Sequence, residues 1–83
     1  MAAPAPLVQN ATLPGGGATF TGSFKRIIFQ NLDSTNNIGV KINGSNQMKV
    51  LPLTNLGDTY PQIDTVELIN LGGTPEYQIT LHG

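Results

Sequence analysis

The sequence predicts an all-β fold: a small antiparallel β-sandwich or partly open, jelly-roll-like barrel built on two related hairpins, with an extended N-terminal arm. Three observations carry this reading. First, a segment is written twice. Residues 28–44 align without a gap on residues 67–83, sharing the frame Asn-Leu-x-x-Thr, then three alternating apolar residues, then Gly. Second, Thr, Val, Ile and aromatic residues recur in short runs bounded by Gly, Asn, Asp and Pro, as strands and turns do. Third, no segment keeps helical periodicity over the roughly ten residues that a helix needs.

From the N-terminus, residues 2–6 are all Ala or Pro. Pro fixes φ and removes a backbone donor, so this stretch is expected to be extended or polyproline-like and unable to join the middle of a sheet. Residues 7–13 read as a short strand or an extended arm. Pro14-Gly15-Gly16-Gly17 reads as a flexible break. The expected division is therefore a flexible arm, residues 1–17, and a β-sandwich body, residues 18–83. Further strands are expected near 18–32 (broken near Gly22), 38–43, 47–53, 63–71 and 76–82. Asn43-Gly44 fits a tight turn with positive φ, which both residue types tolerate. Gly57-Asp58 and Gly72-Gly73 are the other turn signals.

The repeat also assigns faces. With an offset of 39 residues, Ile27 falls on Val66 and Phe29 on Leu68, while Ile38, Val40 and Ile42 fall on Tyr77, Ile79 and Leu81. Strict alternation with Gly39, Lys41, Gln78 and Thr80 marks half-buried strands. The expected core is these ten apolar residues, completed by Phe20, Phe24, Met48 and Val50. Ile28, Leu32, Ile69 and Leu71 then point the other way. Isolated exposed apolar residues are ordinary, whereas a cluster calls for a cover. The arm or a loop is one such cover; a subunit interface made of these four residues is another.

Composition narrows the function. Eighty-three residues make one small domain, and domains of this size often need a disulfide, a metal or a partner subunit. There is no Cys, which excludes disulfides and thiolate metal sites, and a single His, His82, excludes a His-rich one. Oligomerisation is the remaining support, and no cofactor or metal is expected. A net charge of −1 with four basic residues argues against nucleic-acid binding. Lys25 and Arg26, near Phe24 and Phe29, form the one basic–aromatic cluster, too small for a groove. Charged residues make up only 11% of the chain, so much of the surface is expected to be covered by Thr, Asn and Gly or buried against something else. No apolar run is long enough for a membrane helix. The N-terminus has neither the charged region nor the hydrophobic stretch of a secretory leader, which fits a product made and assembled in a cytoplasm.

Catalytic constellations are equally sparse. A nucleophile needs a base within reach, and His82 sits in the last two residues. Asp64 and Glu67 are an odd number of residues apart, which on a regular strand places them on opposite faces, so they make no carboxylate pair. Asp33 with Asn36 and Asn37 supplies oxygen atoms on one turn, but Asx-turn chemistry accounts for all three without calcium. Gly15-Gly16-Gly17 lacks the Lys-Ser/Thr of a phosphate loop. The expectation is a binding or structural module and not an enzyme. A carbohydrate-binding sandwich would stack sugars on exposed aromatics; the chain has no Trp, and Tyr60 beside Pro61 is the one aromatic expected in a loop.

Residues 24–83 resemble small virion proteins of tailed bacteriophages. The resembling phrases run from Phe29-Gln30-Asn31-Leu32 through Asn36-Asn37-Ile38-Gly39-Val40-Lys41-Ile42-Asn43-Gly44, and from Ile63-Asp64-Thr65-Val66-Glu67-Leu68-Ile69-Asn70-Leu71-Gly72-Gly73 to Ile79. The likeness is to capsid decoration (cement) proteins. It implies a β-rich structural protein, commonly a homo-trimer, bound to the major capsid protein on the outside of the head and made in the host cytoplasm. It also implies an N-terminal arm that orders on the capsid, here through Pro4, Pro6, Leu7 and Val8. Other virion roles (a head-fibre base, a neck or tail accessory) and host-glycan binding are the alternatives.

Overall fold

The computed structural model describes residues 7–83; Pro4 and Pro6 of the expected arm lie outside them. Six strands follow in chain order: β1 (Leu7–Thr12), β2 (Ala18–Asn31), β3 (Ile38–Ile42), β4 (Met48–Val50), β5 (Asn55–Asn70) and β6 (Glu76–His82). They form one antiparallel sheet in the order β1-β6-β2-β5-β3-β4. The two long strands, β2 and β5, are each shared between two halves of that sheet. Residues 26–31 of β2 pair with β6, and residues 66–70 of β5 pair with β3. Each long strand therefore passes from one four-stranded layer to the other. The first layer is β1, β6, the end of β2 and the start of β5. The second is the start of β2, the end of β5, β3 and β4. Their inner faces enclose the core, as in a jelly roll whose strands are partly fused.

The fold class is as the sequence predicts, but the connection inside each repeat is different. The two arms of a copy do not form a hairpin. β2 pairs with β6 and β5 with β3, so each copy lends its second arm to the other. The registers match under the 39-residue offset. Ile27↔Leu81, Phe29↔Ile79 and Asn31↔Tyr77 in one layer correspond to Val66↔Ile42, Leu68↔Val40 and Asn70↔Ile38 in the other. Phe24 and Ile63, themselves equivalent positions, pair with each other. A pseudo-twofold axis therefore passes between them.

The expected arm–body boundary does not divide the sheet. β1 pairs with β6 from Leu7↔Leu81 to Thr12↔Glu76, and Leu13 is fully buried. Without β1, the outer edge of β6 would leave its backbone groups unpaired beside a core of Ile79 and Leu81. Residues 14–17 form a closed turn, Gly17 N–H donating to Pro14 C=O at 2.9 Å. Gly17 has φ 78°, and a Cβ there would run into the Leu68 carbonyl, so the glycine answers a steric need.

All ten residues that the repeat places inside are buried, as are Phe20 and Val50, while Phe24 and Met48 pack against the core from its margin. Phe29 and Tyr77 stack with ring centroids 6.0 Å apart. Leu13, Ile63 and the polar Asn31 complete the interior. The turn expected at Gly57-Asp58 is absent; both residues lie in β5, opposite Ile28 and Ile27. The β2–β5 ladder slips between Thr21 and Phe24 and again between Phe24 and Arg26, around the expected break at Gly22. Pro61, which has no N–H to give, falls in this interrupted stretch.

Candidate functional site

No pocket opens among the described residues, and no group of three or more His, Cys, Asp or Glu side chains comes together there. The interior is filled by apolar side chains. Its polar members are already partnered: Asn31 as set out below, and Tyr77 through its hydroxyl, which accepts from Gln9 Nε2 at 2.9 Å. Among the described residues no buried polar side-chain atom is left without a partner. The working parts are the two ends and the two outer faces.

At one end, the connections 13–17, 32–37, 51–54 and 71–75 are tied together, and the two repeat asparagines do much of the tying. Asn31 Nδ2 donates to the carbonyls of Asn36 (2.9 Å) and Val50 (3.1 Å), and its Oδ1 accepts from Asp33 N–H at 3.0 Å. Asn70 repeats the plan: Nδ2 donates to the carbonyls of Leu13 (3.1 Å) and Gly73 (2.8 Å), and Oδ1 accepts from Gly72 N–H at 2.7 Å. Asp33 closes its own turn. Its Oδ2 accepts from Thr35 N–H and Oγ1 and from Asn36 N–H. These hydrogen bonds, that from the Thr35 backbone foremost, hold its carboxyl below the ordinary carboxylate value. That oxygen is committed to the Asx turn, in line with the turn reading of this segment. Leu51, Leu53 and Leu71 stand exposed at this end. Leu53 adopts φ 58°, an uncommon conformation for a leucine.

The opposite end is polar and built around the predicted Asn43-Gly44 turn, with φ 53° and 71°. Asn43 Oδ1 accepts from two consecutive amides, Asp64 N–H (2.7 Å) and Thr65 N–H (3.2 Å), and Asn43 Nδ2 donates to Gln62 C=O at 2.8 Å. Two successive N–H groups reach one acceptor only where the strand bulges. The bulge breaks alternation, so Ile63 and Val66, three residues apart, are both buried. The parity argument that separated Asp64 from Glu67 fails across it. Tyr60, expected in a loop, instead lies in β5 and packs against the core. Partial burial and the Asp58 carboxylate push its hydroxyl pKa up.

The outer faces differ. On the first layer, outward residues align across four strands. One row is Asn10, Gln78, Gln30 and Asn55; the next is Val8, Thr80, Ile28 and Gly57. Glu76 lies at one end of this face, Arg26 and His82 at the other. On the second layer the central row is Thr19, Glu67 and Lys41, flanked by Ile69, Gly39 and Lys49. The expected interface residues are therefore separated. Ile28 lies on the first outer face and half-buried Leu32 just beyond the end of β2; Ile69 lies on the second face and Leu71 in a connection. Of the expected arm contacts, Leu7 packs against the core and Val8 is 58% exposed. Lys25 and Arg26 are exposed, whereas Phe29 is in the core. The amide row escapes a sequence reading because it depends on lateral register between distant strands. Alternation alone would have turned each of its members outward.

No protein-family model and no curated protein sequence matches the chain. Solved structures do. A de novo designed double-stranded β-helix is similar over 96% of this chain and 100% of its own, with a TM-score of 0.59 at 12% identity. A cupin protein from Bacteroides fragilis is similar over 93% of this chain and 63% of its own, with a TM-score of 0.60 at 9% identity. At such identities the likeness is one of fold: the chain has a double-stranded β-helix, jelly-roll architecture. Folds of this kind host catalytic and non-catalytic proteins alike, so function has to be argued from the surfaces.

Proposed function

We propose that the protein is a non-enzymatic structural subunit of a virion, decorating and stabilising the exterior of a tailed-phage capsid as a homo-oligomer bound to the major capsid protein. The observation that carries this reading is the filled interior, which leaves surfaces as the means of action. Low charge and the resemblance of residues 24–83 to cement proteins support it. Small contacts repeated over a symmetric shell would resist outward pressure through avidity. The placement of the aromatic residues favours this reading over carbohydrate binding, which would stack sugars on exposed rings. All five aromatic side chains, Phe20, Phe24, Phe29, Tyr60 and Tyr77, belong to the core or pack against it.

The test is co-sedimentation of the purified chain with mature capsids that lack it. Saturable binding at a stoichiometry set by capsid symmetry is expected. No binding at any concentration would overturn the proposal. A truncation probing the arm must stop at residue 6, because removing residues 1–17 also removes β1 and Leu13 from the fold.

A further inference from the structure

We propose that the outer face of the first layer is a self-association surface, on which two copies of this chain pack face to face about a twofold axis lying across the strands. The inference concerns the chain in solution and does not rest on the capsid reading.

The face has the anatomy of a contact. Its centre, Gln78, Gln30, Thr80 and Ile28, is uncharged and half-buried. Its charges, Glu76 and Arg26, stand at opposite margins and are exposed. Interfaces favour an uncharged centre and a polar rim. The second layer has the reverse arrangement, with Glu67 and Lys41 opposed in its central row, where burial would cost most. Since the interiors of the two layers correspond position for position, their outer faces distinguish them, and only the first is suited to burial.

Charge placement selects the occupant. The twofold axis brings the Glu76 margin of each copy over the Arg26 and His82 margin of the other. Glu76 then faces His82 and lies about one strand spacing, roughly 5 Å, from Arg26 of the second copy. Both margins are satisfied at once by the same pairing, as an isologous contact requires. Over the centre, the carboxamides of Gln30 and Gln78, which both donate and accept, meet Ile28 and Thr80 of the second copy.

Size sets the strength. Four strands about 4.8 Å apart and six residues of rise give a flat footprint of roughly 400 Å² per copy. A standard interface buries about 800 Å² per partner. The pair is therefore weak and reversible, and it is sensitive to salt because its specificity lies at charged margins.

The experiment is sedimentation equilibrium of the full chain up to roughly 1 mM, at low and high salt. A monomer–dimer equilibrium weakened by salt is expected. Arg26→Glu and Glu76→Arg should each raise the dissociation constant roughly tenfold or more, and the double reversal should restore it. Ile28→Lys should abolish pairing, and Lys41→Glu on the other layer should leave it unchanged. All four positions are outside the core, and circular dichroism will confirm that each variant is folded. Absence of any dimer, failure of the double reversal to rescue, loss of pairing with Lys41→Glu, or a trimer insensitive to Arg26 and Glu76 would each overturn the proposal.

Discussion

Residues 27–44 and 66–83 agree position by position on the inward side of their strands and disagree on the outward side. Inward, Ile27, Phe29, Asn31, Ile38, Val40 and Ile42 answer to Val66, Leu68, Asn70, Tyr77, Ile79 and Leu81. Outward, Ile28, Gln30, Gly39 and Lys41 answer to Glu67, Ile69, Gln78 and Thr80. One shared core restricts the first set, because close-packed interiors resist changes of volume. Nothing comparable restricts the second, so the layers acquire different exteriors on one scaffold. The turns diverge too. Where the first copy uses the Asp33 carboxylate to hold its chain, the second has Gly72 and Gly73, at φ 146° and 64°.

The comparison breaks most sharply at neighbouring residues of β5. Leu68→Asp places an unpaired carboxylate in the core and is expected to leave the chain unfolded at room temperature. Ile69→Asp, one residue on and facing out, should keep a cooperative thermal transition. Equal loss of structure by circular dichroism would refute the inward–outward division.

A smaller effect separates the repeat asparagines. Asn31 is buried and its loss strands two carbonyls and an amide, so Asn31→Ala should cost about 2–3 kcal/mol. The half-buried Asn70 should cost about 1 kcal/mol on the same change. Calorimetry would show Asn31→Ala melting about 5–15 °C below Asn70→Ala. The reverse order would mean that burial does not set the cost of losing each tie.

The turns give a finer contrast. A Cβ on Gly73 would lie 2.5 Å from Asn36 Nδ2 in a left-handed residue, so Gly73→Ala should destabilise by about 1–2 kcal/mol. Its counterpart Ser34 already carries a side chain, and Ser34→Gly should change stability by less than about 0.5 kcal/mol. The smallest effect is acidic. The Asp33 carboxyl is depressed in the folded chain, so its stabilisation is complete above the ordinary carboxylate value of 3.8 and is lost as pH falls below it. In an NMR titration the Thr35 and Asn36 amides should shift in that window while the Gly72 and Gly73 amides stay still. Asp33→Asn should remove the shift.

The inside of this molecule was legible in its sequence because alternation and duplication are local signals. They place Ile27, Val66 and their neighbours without any knowledge of pairing. What escaped was non-local. Two arms joined by a short polar segment read as a hairpin, and only the register shows that each crosses to the other layer. Gly57-Asp58 has turn composition, yet pairing with Ile28 and Ile27 keeps it extended. Leu13, beside a Pro-Gly run, looks like the end of an arm until Asn70 and Pro75 are seen to hold it. Parity reasoning on Asp64 and Glu67 assumed a regular strand, and the bulge gripped by Asn43 removed that assumption. The exposed leucines of one end and the amide row of the first layer belong to this non-local class as well.

The pairing of β1 with β6 sets the order of events during synthesis. Leu7 finds its partner only when Leu81 has been made, and the core of each layer is finished by a strand from the other copy. Until β6 has been made, β1 has no edge to join and the first layer cannot close, whereas the strands of the second layer, residues 18–70, are already present. Closure of the first layer must therefore wait until β6 has been made, through contacts distant in sequence, a route that is slow compared with local helix formation. During that interval the apolar inner face of the second layer lacks its cover and stands open to neighbouring nascent chains.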